Sequence, residues 1–417
     1  MIKFIQVFFI FIFATSLKAD AETLAALQEE LLRNNPEIAA ARNRFLASTK
    51  LPVQESALPD PKIAFVDFGV GQPFSTLNQS DFAYRALGFT QEFPFPGKLS
   101  LRKKIAEEFV QTAKQDLRAT EIRLVSALKR QFAEYFYFQE TLVIAERYRG
   151  LLDNLNEITE ARYRVGKGLQ QDVLRAQLER SAIEERLQLL QQDLENERAG
   201  LNALLNRDVS QPLKVEADHK PAVWEEAYEA LVAQLQSRSP ELLTKAHQEQ
   251  QKKLQLQLAQ KGKYPDFEAG FQWQRTGSDF PDYYMSMVQV KLPIYFWRKQ
   301  RPAIEQATLE WKASQDDAKA TRLQLQGELK AAYSTATTTA KLVRLYDEGI
   351  IPQSRLSLES ATNAYQVGQV DFITLLNNAT SLLNYESESL RKLADHRKAV
   401  AKIEELTAQP LSEEDQQ

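Results

Sequence analysis

Few side chains in this sequence have the chemistry to bind a metal ion or to attack a substrate. The 417 residues include three histidines and no cysteine, which excludes disulfides, thiolate ligands and cysteine nucleophiles. His219, His247 and His396 lie far apart and in no zinc-binding spacing, so we interpret each as a structural or solvated histidine. The sequence therefore predicts no catalytic residue, no metal site and no cofactor.

Two methionines are the remaining candidate ligands. Met285 and Met287 lie two residues apart in a stretch that is typical of a strand, and paired thioethers favour soft monovalent metals. Packing against lipid is the simpler explanation of the pair. We therefore expect both side chains to face lipid.

A candidate site of a different kind is a turn that occurs twice. It reads YRVGKGLQQDVLRAQL from Tyr163 and YQVGQVDFITLLNNAT from Tyr365. In each copy a helical pattern runs into Val-Gly, turns within a few residues and continues as a second helix with apolar residues at helical spacing. We predict two helical hairpins whose tips lie at Gly166 and Gly368.

The duplication extends well beyond the tips. The sequence around Pro36 is echoed around Pro240, and the sequence around Pro94 is echoed around Pro293. These echoes follow the same order along the chain as the two tips. Because landmarks recur in order with small changes of length, we infer that one structural unit was built twice.

The ends and the middle of the chain differ in composition from the repeats. Residues 1–21 combine Lys3, an apolar run and Ala-Asp-Ala, the pattern of a cleaved secretory signal. The further predicted segments are a first repeat at 22–206, a connector beside the bundle at 207–224, a second repeat at 225–407 and a disordered acidic tail at 408–417.

The net charge of the chain is −4 at neutral pH. Nucleic-acid binding depends on clustered lysine and arginine, and this balance provides no such cluster. We therefore expect no nucleic-acid partner.

Residues 60–93 and 266–292 change from helical to alternating periodicity. Each predicts a hairpin of two strands of about ten residues. In the second, Phe267, Phe271 and Trp273 share one face, and polar residues occupy the other. The alternation suits a membrane-crossing strand with lipid on one side and water on the other. A half-buried hairpin on a soluble protein would show the same pattern.

Two very long helical patterns follow the predicted hairpins. One covers 98–165 without a proline, and the other covers 298–367 with Pro352 inside it. Each would be about 100 Å long, and we expect a break or kink just before Pro352. Leucines at helical spacing on the long and the returning helices require packing against neighbouring helices.

The four predicted strands raise a problem of closure. The smallest membrane barrels use about eight strands, and open strand edges are not tolerated in lipid. The chain must therefore pool its strands with copies of itself.

These features together resemble the TolC-like outer-membrane efflux proteins. The resemblance rests on the signal segment, the two tandem units, the FPFPGKL motif at 93–99 and the Tyr-x-Val-Gly tips. It implies a mainly α fold with a small β part. In that fold, duplicated long-helix coiled-coil bundles form a trimeric α-barrel, and four strands per chain contribute to a shared outer-membrane β-barrel.

The resemblance also implies a function. A homotrimer in outer-membrane lipid, with its helical part in the periplasm, would act as a passive exit duct and not as an enzyme. Its tips would dock to a periplasmic adapter that serves an inner-membrane RND pump. FPFPGKL is most similar to the branch of the CusC and CzcC groups, which implies heavy-metal cations as the cargo.

The resemblance points to individual residues at the tips. In the family, aspartates that close the periplasmic end lie six and nine residues after the second glycine, where this sequence has Thr374 and Asn377. The acidic ring is therefore missing. Tyr365 and Asp172 match a family pair that ties the tips by a hydrogen bond. A second family bond needs an arginine at the position of Val370, which leaves that bond in doubt.

Three charged residues belong to the predicted tip site. Asp172 and Arg175 take the equivalent positions after the first glycine, and Asp371 follows the second. Helix capping is the alternative role for Asp371 and Asp172, because a short carboxylate accepts hydrogen bonds from free N–H groups at a helix start.

Two other functions compete with the metal duct. One is a duct for drugs or a secreted polypeptide, since the sequence does not identify the cargo. The other is a periplasmic coiled-coil adapter or scaffold protein, which would need β-rich flanks that this chain does not show.

Overall fold

A computed structural model describes residues 22–215 and 226–409. The predicted signal segment 1–21, the part of the predicted connector from 216 to 224 and the part of the predicted tail from 410 to 417 lie outside these residues.

The described chain is built mainly of helices, and the same order of elements occurs twice. The elements are α1 (Leu24–Asn34), α2 (Pro36–Ser48), α3 (Leu51–Ser56), β1 (Lys62–Phe68), β2 (Tyr84–Phe93), α4 (Lys98–Arg164), α5 (Gln170–Leu204), α6 (Tyr228–Arg238), α7 (Pro240–Lys261), β3 (Asp266–Arg275), β4 (Tyr283–Lys291), α8 (Gln300–Leu345), a π-helix (Tyr346–Ile350), α9 (Ile351–Gln366) and α10 (Phe372–Thr407). The prediction of a duplicated, mainly α fold with a small β part is confirmed.

The two long helices differ in continuity. Helix α4 runs unbroken for 67 residues, about 100 Å. Its counterpart is divided into α8 with 46 residues, the π-helix with 5 and α9 with 16. Pro352 lies in the first turn of α9, where its missing N–H costs least. The expected interruption before Pro352 is confirmed, and it takes the form of a π-helical turn.

The four strands form one antiparallel sheet in the order β1-β2-β3-β4. The central pairing of β2 with β3 joins the two repeats, with Phe89 opposite Phe271 and Leu87 opposite Trp273. Strand β1 is shorter than expected. It ends at Phe68, just before a loop in which Gly71 takes a φ of +95° that favours glycine.

The two sides of the sheet differ in character. Partners in an antiparallel ladder point to the same side, so the register assigns each residue to a side. One side, the apolar face, carries Ile63, Phe65, Leu87, Phe89, Phe93, Phe267, Phe271, Trp273, Tyr284, Val288 and Val290. The other side, the polar face, carries Lys62, Thr90, Glu92, Glu268, Gly270, Gln272, Met285, Met287 and Gln289. The alternation predicted from the sequence is confirmed.

The expectation that Met285 and Met287 face lipid is wrong on this register. Met285 pairs with Gln272 and Met287 pairs with Gly270, so both lie on the polar face. A β-carbon added to Gly270 would lie 3.3 Å from the Met287 methyl group. The Gln289 side-chain amide also donates to the Met287 sulfur at 2.9 Å.

The FPFPGKL motif has a structural role where β2 leads into α4. The Phe95 ring stacks on Tyr264 at 4.5 Å, and its backbone N–H donates to the Asp266 carboxylate at 2.8 Å. Lys98, which is 9% exposed, donates to the same carboxylate at 2.7 Å. The motif therefore fixes the start of the long helix against the start of β3.

The described residues form two compact units, each of which draws on both repeats. The first holds residues 22–35, 124–215 and 334–401, and the second holds 36–123, 226–333 and 402–409. The sheet and the FPFPGKL motif belong to the second unit, and both tips belong to the first.

The first unit has an apolar core between the hairpin helices. This core contains Ala145, Tyr148, Leu152, Leu155, Ala176, Ile183, Leu187, Leu190, Ala361, Tyr365, Phe372, Leu375, Leu376, Ala379 and Leu383. These side chains lie at helical spacing on α4, α5, α9 and α10. Their burial stabilises each helix mainly by removing its apolar stripe from water.

The described part of the connector, 207–215, is fixed to its neighbours in the first unit. The Arg207 guanidinium pairs with Glu22 at 2.9 Å and also with Glu30, and these carboxylates raise the arginine pKa. The Tyr135 hydroxyl donates to the Leu213 carbonyl at 2.8 Å. These charged and polar contacts fix the segment together with the buried side chains of Leu213 and Val215.

Helices α5 and α10 end in the same turn but with different residues at its left-handed position. That position is Asn206 after α5, with φ 58°, and Ala408 after α10, with φ 51°. In both, two backbone N–H groups donate to the carbonyls of the preceding turn, which is the Schellman arrangement. Asparagine tolerates this conformation, whereas the β-carbon of alanine is strained in it.

We expect Ala408→Gly to stabilise the end of α10 by about 1 kcal/mol, because glycine removes the β-carbon strain. Ala399→Gly, inside the same helix, should destabilise it by about 1 kcal/mol or more. Hydrogen exchange of peptides covering the last turns of α10 measures both. Equal protection in Ala408→Gly and the wild type would contradict the strain.

Candidate functional site: the helical hairpin tips

Each tip is a short turn in which the first helix ends on a left-handed glycine. Gly166 has φ +71° and Gly368 has φ +80°. In the first tip, the N–H groups of Gly166 and Lys167 donate to the carbonyls of Tyr163 and Arg162 at 3.0 and 2.9 Å. The backbone groups that a helix end leaves free are therefore satisfied by the turn itself.

The second tip repeats this geometry residue for residue. The Gly368 N–H donates to the Tyr365 carbonyl at 3.1 Å, and the Gln369 N–H donates to the Ala364 carbonyl at 2.8 Å. Glycine takes a positive φ at no steric cost, so the reversal of the chain explains the glycine in both Val-Gly pairs.

Arg162 joins the two tips. Its guanidinium lies 4.6 Å from the centre of the Tyr365 ring and donates to the Tyr365 carbonyl. The same guanidinium donates to the Lys167 carbonyl at 3.5 Å. One cation near the end of α4 thus contacts the backbone of both turns and an aromatic face, where a cation–π contact is attractive.

Tyr365 is the most buried of the predicted tip residues. It is 4% exposed, and its ring lies 5.8 Å from that of Phe372. Burial raises the pKa of the Tyr365 hydroxyl, the Arg162 charge opposes that shift, and the Asp172 charge adds to it. Its counterpart Tyr163 is 47% exposed, so the two matching tyrosines have different surroundings.

The expected hydrogen bond between Tyr365 and Asp172 is not formed. Within residues 22–215 and 226–409, the Tyr365 hydroxyl makes no hydrogen bond to the Asp172 carboxylate. The physical reason is that the tyrosine ring packs under Arg162, and Arg162 makes the polar contact between the tips instead.

Asp371 is a helix cap. Its carboxylate accepts a hydrogen bond from the Thr374 backbone N–H at 3.0 Å, at the start of α10. Hydrogen bonds from the Thr374 side chain and backbone lower the pKa of Asp371. The capping role that the sequence allowed is the one observed.

Asp172 and Arg175 lie in the first turns of α5. The residue that caps this helix is Leu169, which provides no side-chain acceptor, so Asp172 acts as an acidic residue of the first turn, where the helix dipole favours negative charge. Arg175 pairs with Glu179 on the same helix at 3.3 Å. Neither residue contacts the other tip through a hydrogen bond or an ion pair in the described chain.

Thr374 and Asn377 take the two positions where the resemblance implied acidic residues. Both are exposed on the first turns of α10. The hydroxyl and amide groups carry no charge, so the second tip presents a polar surface without carboxylates at these positions.

Sequence reasoning missed two polar contacts at this end of the chain. One is the contact of Arg162, which precedes Gly166 by one turn of helix. No motif or spacing near Arg162 in the sequence indicates its contact with Tyr365. The other is Glu386 on α10, which accepts from Arg355 on α9 at 3.0 Å and from Arg147 on α4. Their partners are distant in sequence, so no spacing rule could have identified them.

The histidines that the structure describes have ordinary partners. His247 lies 2.8 Å from the Glu108 carboxylate, and the buried His396 lies 3.0 Å from the Ala336 carbonyl. His219 lies outside the described residues. No group of three or more histidine, cysteine or acidic residues is placed to hold a metal ion in the described chain.

None of the helices in the described segments is long and apolar enough to cross a membrane.

The described chain thus combines long duplicated helices that end in reversed tips with a four-stranded sheet that exposes an apolar face. The sequence matches the outer membrane efflux protein family over residues 26–207 and 231–409. The chain belongs to this family. A search of curated protein sequences finds no significant match.

Several solved structures share the fold. VceC from Vibrio cholerae has a TM-score of 0.79 at 16% identity, over 93% of this chain and 97% of that one. MtrE of Neisseria gonorrhoeae, an outer membrane channel in its open state, has 0.78 at 14%, over 93% and 89%. CusC, described as forming a transmembrane channel, has 0.78 at 14%, over 93% and 92%.

Family membership confirms three of the predictions. The chain is a TolC-like efflux protein, it is not an enzyme, and it is located in the outer membrane. The heavy-metal branch is one of several represented among the similar structures.

We expect the Asp371 cap to depend on pH. Because the folded state lowers the Asp371 pKa, the stability it contributes is present above the ordinary aspartate value and is lost as pH falls through the lowered value. Asp371→Asn keeps an acceptor and should remove this dependence. Hydrogen exchange of peptides covering 371–378, corrected for intrinsic rates, measures it. The same pH dependence in both proteins would refute the assignment.

Proposed function

We propose that this chain is the exit duct of a tripartite efflux system. Three copies share one barrel in the outer membrane, and their long helices form a tube in the periplasm. The tips dock to a periplasmic adapter, which connects the duct to an inner-membrane RND pump. The duct makes and breaks no bond, so the energy for transport comes from the pump.

The observation that carries this proposal is the open sheet. Within the described residues, β1 and β4 each pair with one strand only, which leaves two unpaired edges. Unpaired backbone groups are not tolerated in lipid, and a barrel needs about eight strands or more. If β4 of each chain pairs with β1 of the next, a rotational assembly closes and has no free edge.

The exposed side of the sheet supports the same proposal. Phe271 is 51% exposed, Trp273 45% and Val288 76% in the single chain. Apolar exposure on this scale requires a covering surface, and lipid on the outside of a barrel provides one. The polar face then lines the water-filled interior.

We propose heavy-metal cations as the cargo. The support is the FPFPGKL motif, which is most similar to the metal branch. The contacts of Phe95 and Lys98 with Asp266 fix the start of the long helix. A duct for any cargo needs this architecture, so these contacts do not identify the cargo. A duct for drugs or a secreted polypeptide therefore remains the alternative. The coiled-coil adapter is excluded by membership of the outer membrane efflux protein family.

We propose that the tips form the periplasmic gate and that Arg162 holds it closed. The support is the contact of Arg162 with the Tyr365 ring and with the carbonyls of both turns. Two exposed tip residues, Thr374 and Asn377, lack the charge to select ions. Selectivity then resides in the pump or in other parts of the duct.

The barrel can be tested with neighbouring residues of the edge strand β4. Val288 lies on the apolar face and Gln289 on the polar face. Arginine facing lipid at mid-depth costs about 2–4 kcal/mol, so Val288→Arg should reduce the amount of heat-modifiable trimer in outer membranes. Gln289→Arg, the matched control, should assemble normally. Equal assembly of both variants would contradict the lipid-facing assignment.

The gate can be tested by removing the cation between the tips. Arg162→Ala removes a cation–π contact and its hydrogen bonds, which together contribute about 1–2 kcal/mol. In planar bilayers we expect the open fraction to rise by about tenfold. The matched control is Arg164→Ala, which removes an exposed arginine two residues further along α4 and should leave the open fraction unchanged.

Tyr365→Phe separates this gate from the tyrosine–aspartate bond of the family. The substitution keeps the ring under Arg162 and removes only the hydroxyl, so conductance should stay at the wild-type level. If Tyr365→Phe opens the channel as strongly as Arg162→Ala, the hydroxyl holds the gate and the role of Arg162 is wrong.

A further inference from the structure

Charge on the apolar face of the sheet is confined to a single rung. The register places Asp67 opposite Arg85, and Arg85 opposite Arg275. These three are the charged residues that the strands carry on this face in the described chain. They lie at the end of the sheet that is joined by the loops between β1 and β2 and between β3 and β4.

Asp67 pairs with Arg85 and not with Arg275 in the described chain. One Asp67 oxygen accepts from the Thr76 hydroxyl at 2.6 Å and from Arg85 Nε at 3.1 Å. The other accepts from the Phe74 N–H at 2.9 Å. Three donors, two from its own loop and one from Arg85, thus hold the carboxylate in place.

Arg275 is left with an exposed and unpaired guanidinium. It is exposed in the single chain, and no hydrogen bond or ion pair to another described residue satisfies it. Asp279, the nearest acidic residue along the chain, lies in the loop between β3 and β4, where its carboxylate accepts a hydrogen bond from the Ser278 hydroxyl at 3.0 Å. Asp282 precedes β4 and lies outside the ladder. Neither carboxylate forms an ion pair with Arg275 in the described chain.

Aromatic residues border this rung on the apolar side. Trp273 and Tyr284 face each other in the next rung and are 45% and 75% exposed. Phe74, in the loop that Asp67 holds, is 69% exposed. Tryptophan and tyrosine on the lipid side of a barrel mark the boundary between hydrocarbon and headgroups. In the proposed barrel, the charged rung therefore lies at headgroup level.

We propose that Arg275 binds a phosphate group of an outer-leaflet lipid. This inference rests on the proposed function, because the loop end of the sheet faces outward only if the long helices lie in the periplasm. A guanidinium matches a phosphate through two parallel hydrogen bonds, and the flanking Trp273 and Tyr284 contact the upper acyl chains. The trimer carries one such site on each chain.

The experiment uses the full-length trimer in detergent, with diphosphoryl lipid A as the probe and dephosphorylated lipid A as the reference. Native mass spectrometry counts the lipids retained. A basic residue at a membrane surface contributes about a fivefold increase in affinity for an anionic lipid. We expect Arg275→Gln to reduce retention of the phosphorylated lipid by about fivefold and to leave the dephosphorylated lipid unchanged.

The matched control is Lys62→Gln, which removes a cation from the polar face of the same sheet and should retain the lipid as the wild type does. Equal retention in the wild type and Arg275→Gln would overturn the proposal, as would equal binding of the two lipids by the wild type. Release of the lipid by inorganic phosphate as the competitor would assign the site to a soluble anion and not to a lipid.

Two further measurements keep the test decisive. If Arg275→Gln does not assemble, Arg275→Lys keeps the charge, and its retention should fall as ionic strength rises, because salt screens exposed charges. Retention that is insensitive to salt would contradict a phosphate contact. A wild-type chain that forms no heat-modifiable trimer would refute the duct itself, whereas a trimer without lipid preference refutes only the site.

Discussion

The structure depends on the backbone hydrogen-bonding groups at the two edges of its sheet. A strand edge exposes N–H and C=O groups that cost several kcal/mol each to bury without partners. With β1 and β4 as edges, the chain cannot place its sheet in lipid alone. The exposed phenylalanines and tryptophan of the apolar face make the same demand, since they need lipid on one side. In the proposed assembly, one folded chain is therefore part of a larger barrel that three copies complete.

Local signals in the sequence predicted most of the helical architecture. The expected helix at 98–165 is observed as α4, Lys98–Arg164, because its length, its apolar spacing and the glycine at its end are all local features. The interruption before Pro352 was predicted for the same reason, since proline acts on its own turn. The tips at Gly166 and Gly368 follow from backbone conformation alone. Repetition of the unit made the long helix and the glycine tip appear twice, whereas the proline interruption occurs in the second long helix and not in α4.

Contacts between distant segments could not be predicted in this way. The side of the sheet on which Met285 and Met287 lie depends on the register of β4 against β3, and a shift of one residue reverses it. Arg162 reaches Tyr365 only after α4 and α9 pack together, so its position in the sequence gave no indication of its role. For Asp172, the family pattern predicted a contact that the structure does not form. A family pattern placed it beside Tyr365, whereas packing of the ring under Arg162 gave the tyrosine another neighbour.

The π-helical turn makes the two halves of the chain unequal. A π-turn adds one residue to a helical turn without adding its rise. The apolar stripes before and after the π-turn are therefore out of phase with each other, whereas the stripe of the uninterrupted α4 stays in phase. The side chains of α9 are therefore rotated about the helix axis relative to the positions that an uninterrupted continuation of α8 would give them. In the proposed trimer, six similar hairpins surround the channel with only threefold symmetry. The grooves between hairpins in this proposed ring are therefore of two kinds in alternation, although both hairpins descend from one repeated unit.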